Sequence, residues 1–236
     1  MSRIAVAAFV VLFALPLFAA DDPLMTQGLA ALNADDSDKA IQLFERLVAK
    51  SPNCAECHFR LGDAYGSAAQ KAGLFGKASL ASKCKEQYEK AVQLDPNLLP
   101  ARFSLIEFYL QAPGIMGGSE SKAIEQANEI KKRDNLDGHR AMARIYSYQK
   151  KPDLRRAEYM AIVKDQPNSP KAHMWVGMYH AGTDKNYRAA GDEYETAVKL
   201  DPNYMPAWFR VGQNAAISGA NLPRGEEALK KYLAYT

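Results

Sequence analysis

Tyr88-Glu-Lys-Ala91-Val-Gln-Leu-Asp-Pro96-Asn97 and Tyr194-Glu-Thr-Ala197-Val-Lys-Leu-Asp-Pro202-Asn203 are two copies of one phrase, far apart in the chain. Two looser copies, Phe44-Glu-Arg-Leu47-Val-Ala-Lys-Ser-Pro52-Asn53 and Tyr159-Met-Ala-Ile162-Val-Lys-Asp-Gln-Pro167-Asn168, keep its spacing. An aromatic residue followed three positions later by an aliphatic one predicts a helix with both on one face. Proline lacks an N–H and clashes with the preceding turn, so each Pro-Asn predicts the end of that helix. Recurrence of the same stop is the signature of a repeat architecture.

Most of these stops are followed by a second signature. It reads Leu61-Gly62-Asp-Ala-Tyr65, Met142-Ala143-Arg-Ile-Tyr146, Val176-Gly177-Met-Tyr-His180 and Trp208-Phe-Arg-Val211-Gly212. A small residue beside a large one lets two helices approach closely. The residue three positions later fills the neighbouring gap, except in the last copy, where it is Ala215. Together these residues resemble the tetratricopeptide repeat, a pair of antiparallel helices with a Trp-x-x-Leu-Gly-x-x-Tyr … Ala … Phe … Ala … Pro pattern. The resemblance implies an all-α fold, a right-handed superhelical solenoid of helix pairs. On its register the chain after residue 20 divides into repeats 21–54, 55–98, 99–135, 136–169, 170–204 and 205–236. The third is the loosest, because Ala127 replaces the aromatic and no proline closes it.

The second and third repeats exceed the usual length. The extra residues fall in 66–82 and around 111–119, both between the first and second helices of a repeat. They carry Leu74, Phe75 and Leu80 in one and Ile115 and Met116 in the other, so we expect them to pack together or over the mouth of the concave face. The competing expectation is longer helices. Gly117-Gly118-Ser119 reads as a loop in which Ser119 or Ser121 caps the next helix.

Residues 1–20 form a segment of another kind. A basic Met1-Ser2-Arg3 precedes the apolar run from Ile4 to Phe18, and Ala19-Ala20 precedes Asp21-Asp22. This is the layout of a secretory signal peptide, and the run is short for a membrane span. Phe18 at the −3 position is poor for cleavage, so an uncleaved N-terminal anchor is the alternative. The expected setting is the periplasm or the extracellular space, with no stable membrane insertion after cleavage. Without Arg3, 29 of the 30 Lys and Arg residues face 27 Asp and Glu, a near balance that disfavours a dedicated nucleic-acid binder.

Cys54-Ala-Glu-Cys57-His58 has the spacing of c-type haem attachment, in which two thioethers and a histidine hold the cofactor. Haem binding or thiol redox chemistry is therefore the alternative function. Against it, His58 occupies the fourth position of its repeat, where Trp208 stands in the last. A Cys54–Cys57 disulfide is the simpler reading for an exported chain. Cys84 falls in a small packing slot, and a zinc site would need it to join the other three. No catalytic motif is present, and no cofactor or metal is expected.

The resemblance implies that positions 2, 5, 9, 12 and 13 of each first helix line a groove for a protein or peptide partner. Carried onto this chain, they place Phe59, Phe103, Met174, Met178 and Phe209 there as apolar contacts in excess of core needs. Arg140 and Arg144, one helical turn apart, and Tyr148 would hold an acidic group. The clamp that some members use for chaperone C-termini is not expected, because Phe59 and Asp63 stand where it would begin. The last repeat has no helix beyond it, so weak self-association or some exposed apolar surface is expected at that end.

Overall fold

The computed structural model describes residues 22–235, apart from the side chains of residues 74 and 75. The expected signal segment lies outside the described residues. Helices α1 (Pro23–Asn33), α2 (Ser37–Lys50), α3 (Ala55–Lys71) and α4 (Leu74–Leu94) come first. They are followed by α5 (Leu99–Gln111), α6 (Glu120–Arg133), α7 (Asn135–Tyr148) and α8 (Pro152–Asp165). The last four are α9 (Pro170–Tyr179), α10 (Tyr187–Leu200), α11 (Met205–Ser218) and α12 (Leu222–Tyr235). The chain forms two compact units, one ending at Ala101 and the other beginning at Arg102.

Local chemistry sets the helix starts. The Asp22 carboxylate accepts the Leu24 N–H at 2.9 Å, with Pro23 in the first turn where its missing donor costs nothing. Asp134 caps α7 by accepting from Asp137 N–H at 2.9 Å, and Ser169 caps α9, again ahead of a proline. Ser119, and not Ser121, caps α6. The helices that carry the repeated phrase end where expected: α2, α4, α8 and α10 stop just before their Pro-Asn.

Each glycine of the second signature marks a close approach within a pair. A Cβ added at Gly62 of α3 would lie 2.6 Å from the Tyr88 ring of α4, and one at Gly177 of α9 would lie 2.5 Å from Tyr194 of α10. The aromatic of the repeated phrase therefore occupies the volume the glycine leaves free. The loosest repeat reverses the sizes. Ile106 on α5 and Ala127 on α6 are both fully buried, the large residue now on the first helix and the small one on the second. In the second unit a core of Leu136, Ile162, Val176, Tyr194, Trp208 and Ala228 runs through α7 to α12. Burying each such large side chain contributes about 1.5–3 kcal/mol.

The extra residues behave differently from the preferred expectation. Residues 66–82 make no folded-over loop: α3 runs on to Lys71 and α4 starts at Leu74, with two residues between them. The stretch is rich in Ala, Lys and Leu, good helix formers, so continuing both helices satisfies its backbone. Around residue 115 the chain forms a 3₁₀ turn, Gly114–Met116, closed by Gly117 in the left-handed region at φ 94°. Ile115 at its tip is 99% exposed and covers nothing. At the C-terminal end, Tyr232 packs on Phe209 at 5.3 Å while Ile217, Leu233 and Tyr235 face solvent. No helix among the described residues is long and apolar enough to cross a membrane.

Candidate protein-binding pocket

The fourth position of the repeat explains the histidine beside the cysteines. Trp208 Nε1–H donates to the Pro202 carbonyl at 2.9 Å. His173 Nε2–H donates to the Pro167 carbonyl at 2.8 Å, and His58 Nε2–H to the Pro52 carbonyl at 3.0 Å. In all three the ring N–H ties a first helix to the Pro-Asn turn six residues before it. That turn carbonyl can no longer be used by the helix that has ended, so the ring supplies its partner. His139 stands at the same position, but Arg133 replaces the proline, and its ring lies between the carboxylates of Glu158 (2.6 Å) and Asp165 (3.1 Å). The Asp165 carboxyl is held below its ordinary range by Asn135 first and His139 second.

Cys54 and Cys57 are joined in a disulfide across the first turn of α3, and the Cys54 sulfur accepts the Cys57 N–H. The second ring nitrogen of His58 lies 2.6 Å from Gln87 Oε1. Neither thiol is free in this state, and both nitrogens of the third residue of the motif are engaged. Cys84 is buried, and burial pushes its thiol up to about 12. Among the described residues no group of three or more His, Cys, Asp and Glu side chains could hold a metal ion.

The apolar residues expected in the groove fall into two sets. Phe59 and Met174 are buried, Phe59 against Tyr88 with ring centroids 5.9 Å apart and Met174 within the core of the second unit. They are packing residues. Met178, Phe209 and Tyr148 are exposed, at 37%, 37% and 49%. Phe103 is half-buried beneath the Arg140 guanidinium, whose carbon lies 4.6 Å from its ring centroid. Trp175 lies at the same 4.6 Å distance, so Arg140 is held between two rings and is also paired with Asp137 at 3.1 Å.

Of these side chains, Phe103 and Arg140 border an open pocket of about 300 Å³, wholly within the second unit. Phe103 and Glu107 come from α5, Arg140 and Arg144 from α7, and Arg155 and Tyr159 from α8. Ala143 and Ser147 of α7 complete the lining, and their small size leaves room above Tyr159. Glu107 binds Arg144 through both carboxylate oxygens, one contact being Arg144 Nη2–H donating to Oε2 at 2.7 Å. That paired geometry holds the Arg144 guanidinium above its ordinary pKa, against the opposing effect of burial. Arg155 lies over Tyr179 at 5.6 Å, and Tyr179 stacks on Tyr159 at 4.5 Å. Sequence reasoning found Phe103, Arg140 and Arg144 through the groove register. It missed Glu107 as a partner and Arg155 altogether, because Arg155 enters from the second helix of its pair.

No curated protein matches the sequence. Residues 25–82 match the sequence model of the tetratricopeptide repeat. Among solved structures, the chain is similar to TTC0263, a thermophilic tetratricopeptide-repeat protein of Thermus thermophilus, with 15% identity and a TM-score of 0.50. The alignment covers 82% of this chain and 97% of that one. It is also similar to the human IFIT1 dimer with PPP-AAAA, with 17% identity and a TM-score of 0.52. There the alignment covers 92% of this chain and 49% of the human one, about half of its length. At these identities the likeness is one of fold. The repeated phrase, the glycine–aromatic approach within helix pairs and the matching residues 25–82 lead to one conclusion: the chain is built on the tetratricopeptide-repeat fold.

Proposed function

We propose that this chain is an exported, non-catalytic scaffold that binds a protein partner at the pocket between α5, α7 and α8. The observation that carries the reading is the open pocket itself, where rings and guanidiniums lie side by side on a helical-repeat framework. Arg140 and Arg144 select an acidic group, Phe103 supplies apolar contact, and Tyr148, Met178 and Phe209 extend the exposed contact surface. The N-terminal Met1–Ala20 pattern supports export, and the Cys54–Cys57 disulfide fits an oxidising compartment. Haem attachment would require the disulfide reduced and the His58 ring released from Gln87 and Pro52, so the geometry favours the scaffold reading.

The test is capture of partners by the C-terminally tagged full-length chain beside its Phe103→Glu variant. Proteins bound by the first and lost by the second locate binding at the pocket. Identical captured sets place it elsewhere.

A further inference from the structure

The pocket holds three guanidiniums, and they are not equivalent. Arg140 is fixed between Phe103 and Trp175 and shares Asp137 with Lys171, whose ammonium lies 3.1 Å from the other carboxylate oxygen. Arg144 already carries a carboxylate in the two-point geometry that a guanidinium fork prefers. Arg155 has no carboxylate within ion-pair distance among the described residues, although it borders the same space. Three cations against Glu107 leave the lining with an excess of two positive charges. An open site with that excess attracts an anion, and the Phe103 and Tyr159 rings beside it favour an anion carried on an apolar backbone.

Resting on the pocket reading above, we infer that the occupant is a partner segment with alternating acidic and apolar side chains. One of its carboxylates binds Arg155, and a second replaces Glu107 on Arg144. The Glu107 carboxylate is thus an internal competitor that shows what the Arg144 fork accepts. A basic segment would meet the same three guanidiniums and be repelled. A planar carboxylate matches the fork that Glu107 already fills, which is why we commit to an acidic peptide over a phosphate.

The experiment uses a fluorescein-labelled Glu-Leu-Glu-Leu-Glu peptide, with Gln-Leu-Gln-Leu-Gln as its neutral counterpart and inorganic triphosphate as competitor, read by anisotropy on the full chain. The acidic peptide is expected to bind and the neutral one to bind at least about tenfold more weakly, the scale of one lost charged hydrogen-bonding pair. Arg155→Gln is expected to weaken the acidic peptide about tenfold. Glu107→Gln is expected to tighten it several-fold, because Arg144 no longer starts with a bound carboxylate. No acidic-peptide binding, equal binding of the two peptides, or an Arg155→Gln variant that binds like the parent overturns the inference. So does a Glu107→Gln variant that binds no better than the parent, or one that loses the peptide. Displacement by triphosphate at a lower concentration than the peptide itself requires assigns the site to phosphate and equally overturns it. Thermal melting shows that each variant is folded, and Arg155→Lys, which keeps the charge without the fork, serves if Arg155→Gln is not. The pocket reading is judged separately: if Phe103→Glu still loses captured partners while the peptide series fails, that reading stands and this inference falls.

Discussion

At equivalent positions of two helix pairs, Phe59, Asp63 and Tyr88 stand in the first compact unit where Arg140, Arg144 and Tyr159 stand in the second. In α3–α4 the Phe59 ring lies on Tyr88, the Tyr88 hydroxyl donates to Asp63 at 2.9 Å, and Gly62 lets the ring come close. Phe59 and Tyr88 are both buried there. In α7–α8 the fifth and ninth positions carry guanidiniums instead, Ala143 replaces the glycine, and space remains above Tyr159. The same framework therefore closes when its inner positions match in size and polarity, and leaves an open pocket when they do not. The helix starts differ too. α3 begins on the Cys54–Cys57 disulfide and α7 on the Asp134 cap alone.

The first way to break this comparison is to fill the space that Tyr88 occupies. Gly62→Val is expected to cost about 3 kcal/mol, since overpacking of a tight core costs 1–3 kcal/mol and a β-branched residue adds helix strain. The converse change in the open pair, Ala143→Gly, is expected to cost only about 1 kcal/mol. Urea unfolding measures both, and a Gly62→Val variant as stable as the parent would show that the glycine–aromatic approach does not hold the pair.

A smaller effect is expected at the helix start. Replacing both Cys54 and Cys57 by serine keeps a side-chain acceptor for the Cys57 N–H and removes only the cross-link. For so short a loop the lost constraint on the unfolded chain is worth about 2 kcal/mol. The parent in reductant should match the double variant in its thermal midpoint. A parent midpoint that reductant leaves unchanged would show that the disulfide contributes nothing.

The smallest effect concerns Asp63. Burial raises its pKa above the ordinary carboxylate value, with Tyr88 and Arg60 pulling the other way. A carboxyl that holds its proton more tightly folded than unfolded makes ionisation a cost to the fold, present at neutral pH and fading as pH falls through the folded pKa. Asp63→Asn keeps an acceptor for Tyr88 and cannot ionise. Its stability relative to the parent is therefore expected to be more favourable at pH 7 than at about pH 4. The reverse order would contradict the role given to burial.

Much of this molecule was legible in its sequence, for identifiable reasons. The Pro-Asn stops and the glycine–aromatic pairs act locally, so Gly62, Tyr88, Gly177 and Tyr194 announced the helix pairs by type and spacing. Arg140 and Arg144 were reachable through the repeat register. What escaped depends on neighbours that no register specifies. Phe59 and Met174 looked surplus, yet Tyr88 covers the first and the second-unit core encloses the other. The stretch 66–82 looked like a folded-over loop because it exceeds the usual repeat length, but α3 and α4 extend through all of it except two residues. Arg155 belongs to a second helix, outside the first-helix register, and lines the pocket beside Ala143 and Ser147.

The central claim is that a partner engages the second unit where its inner positions are left open. Hydrogen–deuterium exchange on the full chain, alone and with a captured partner, tests it most directly. Slowed exchange is predicted in α5 and α7, over residues 99–111 and 135–148, and at the start of α8 around Arg155, with α3 and α4 unchanged. Protection confined to α3–α4 or to α12, with α5 and α7 exchanging as in the free chain, would contradict it.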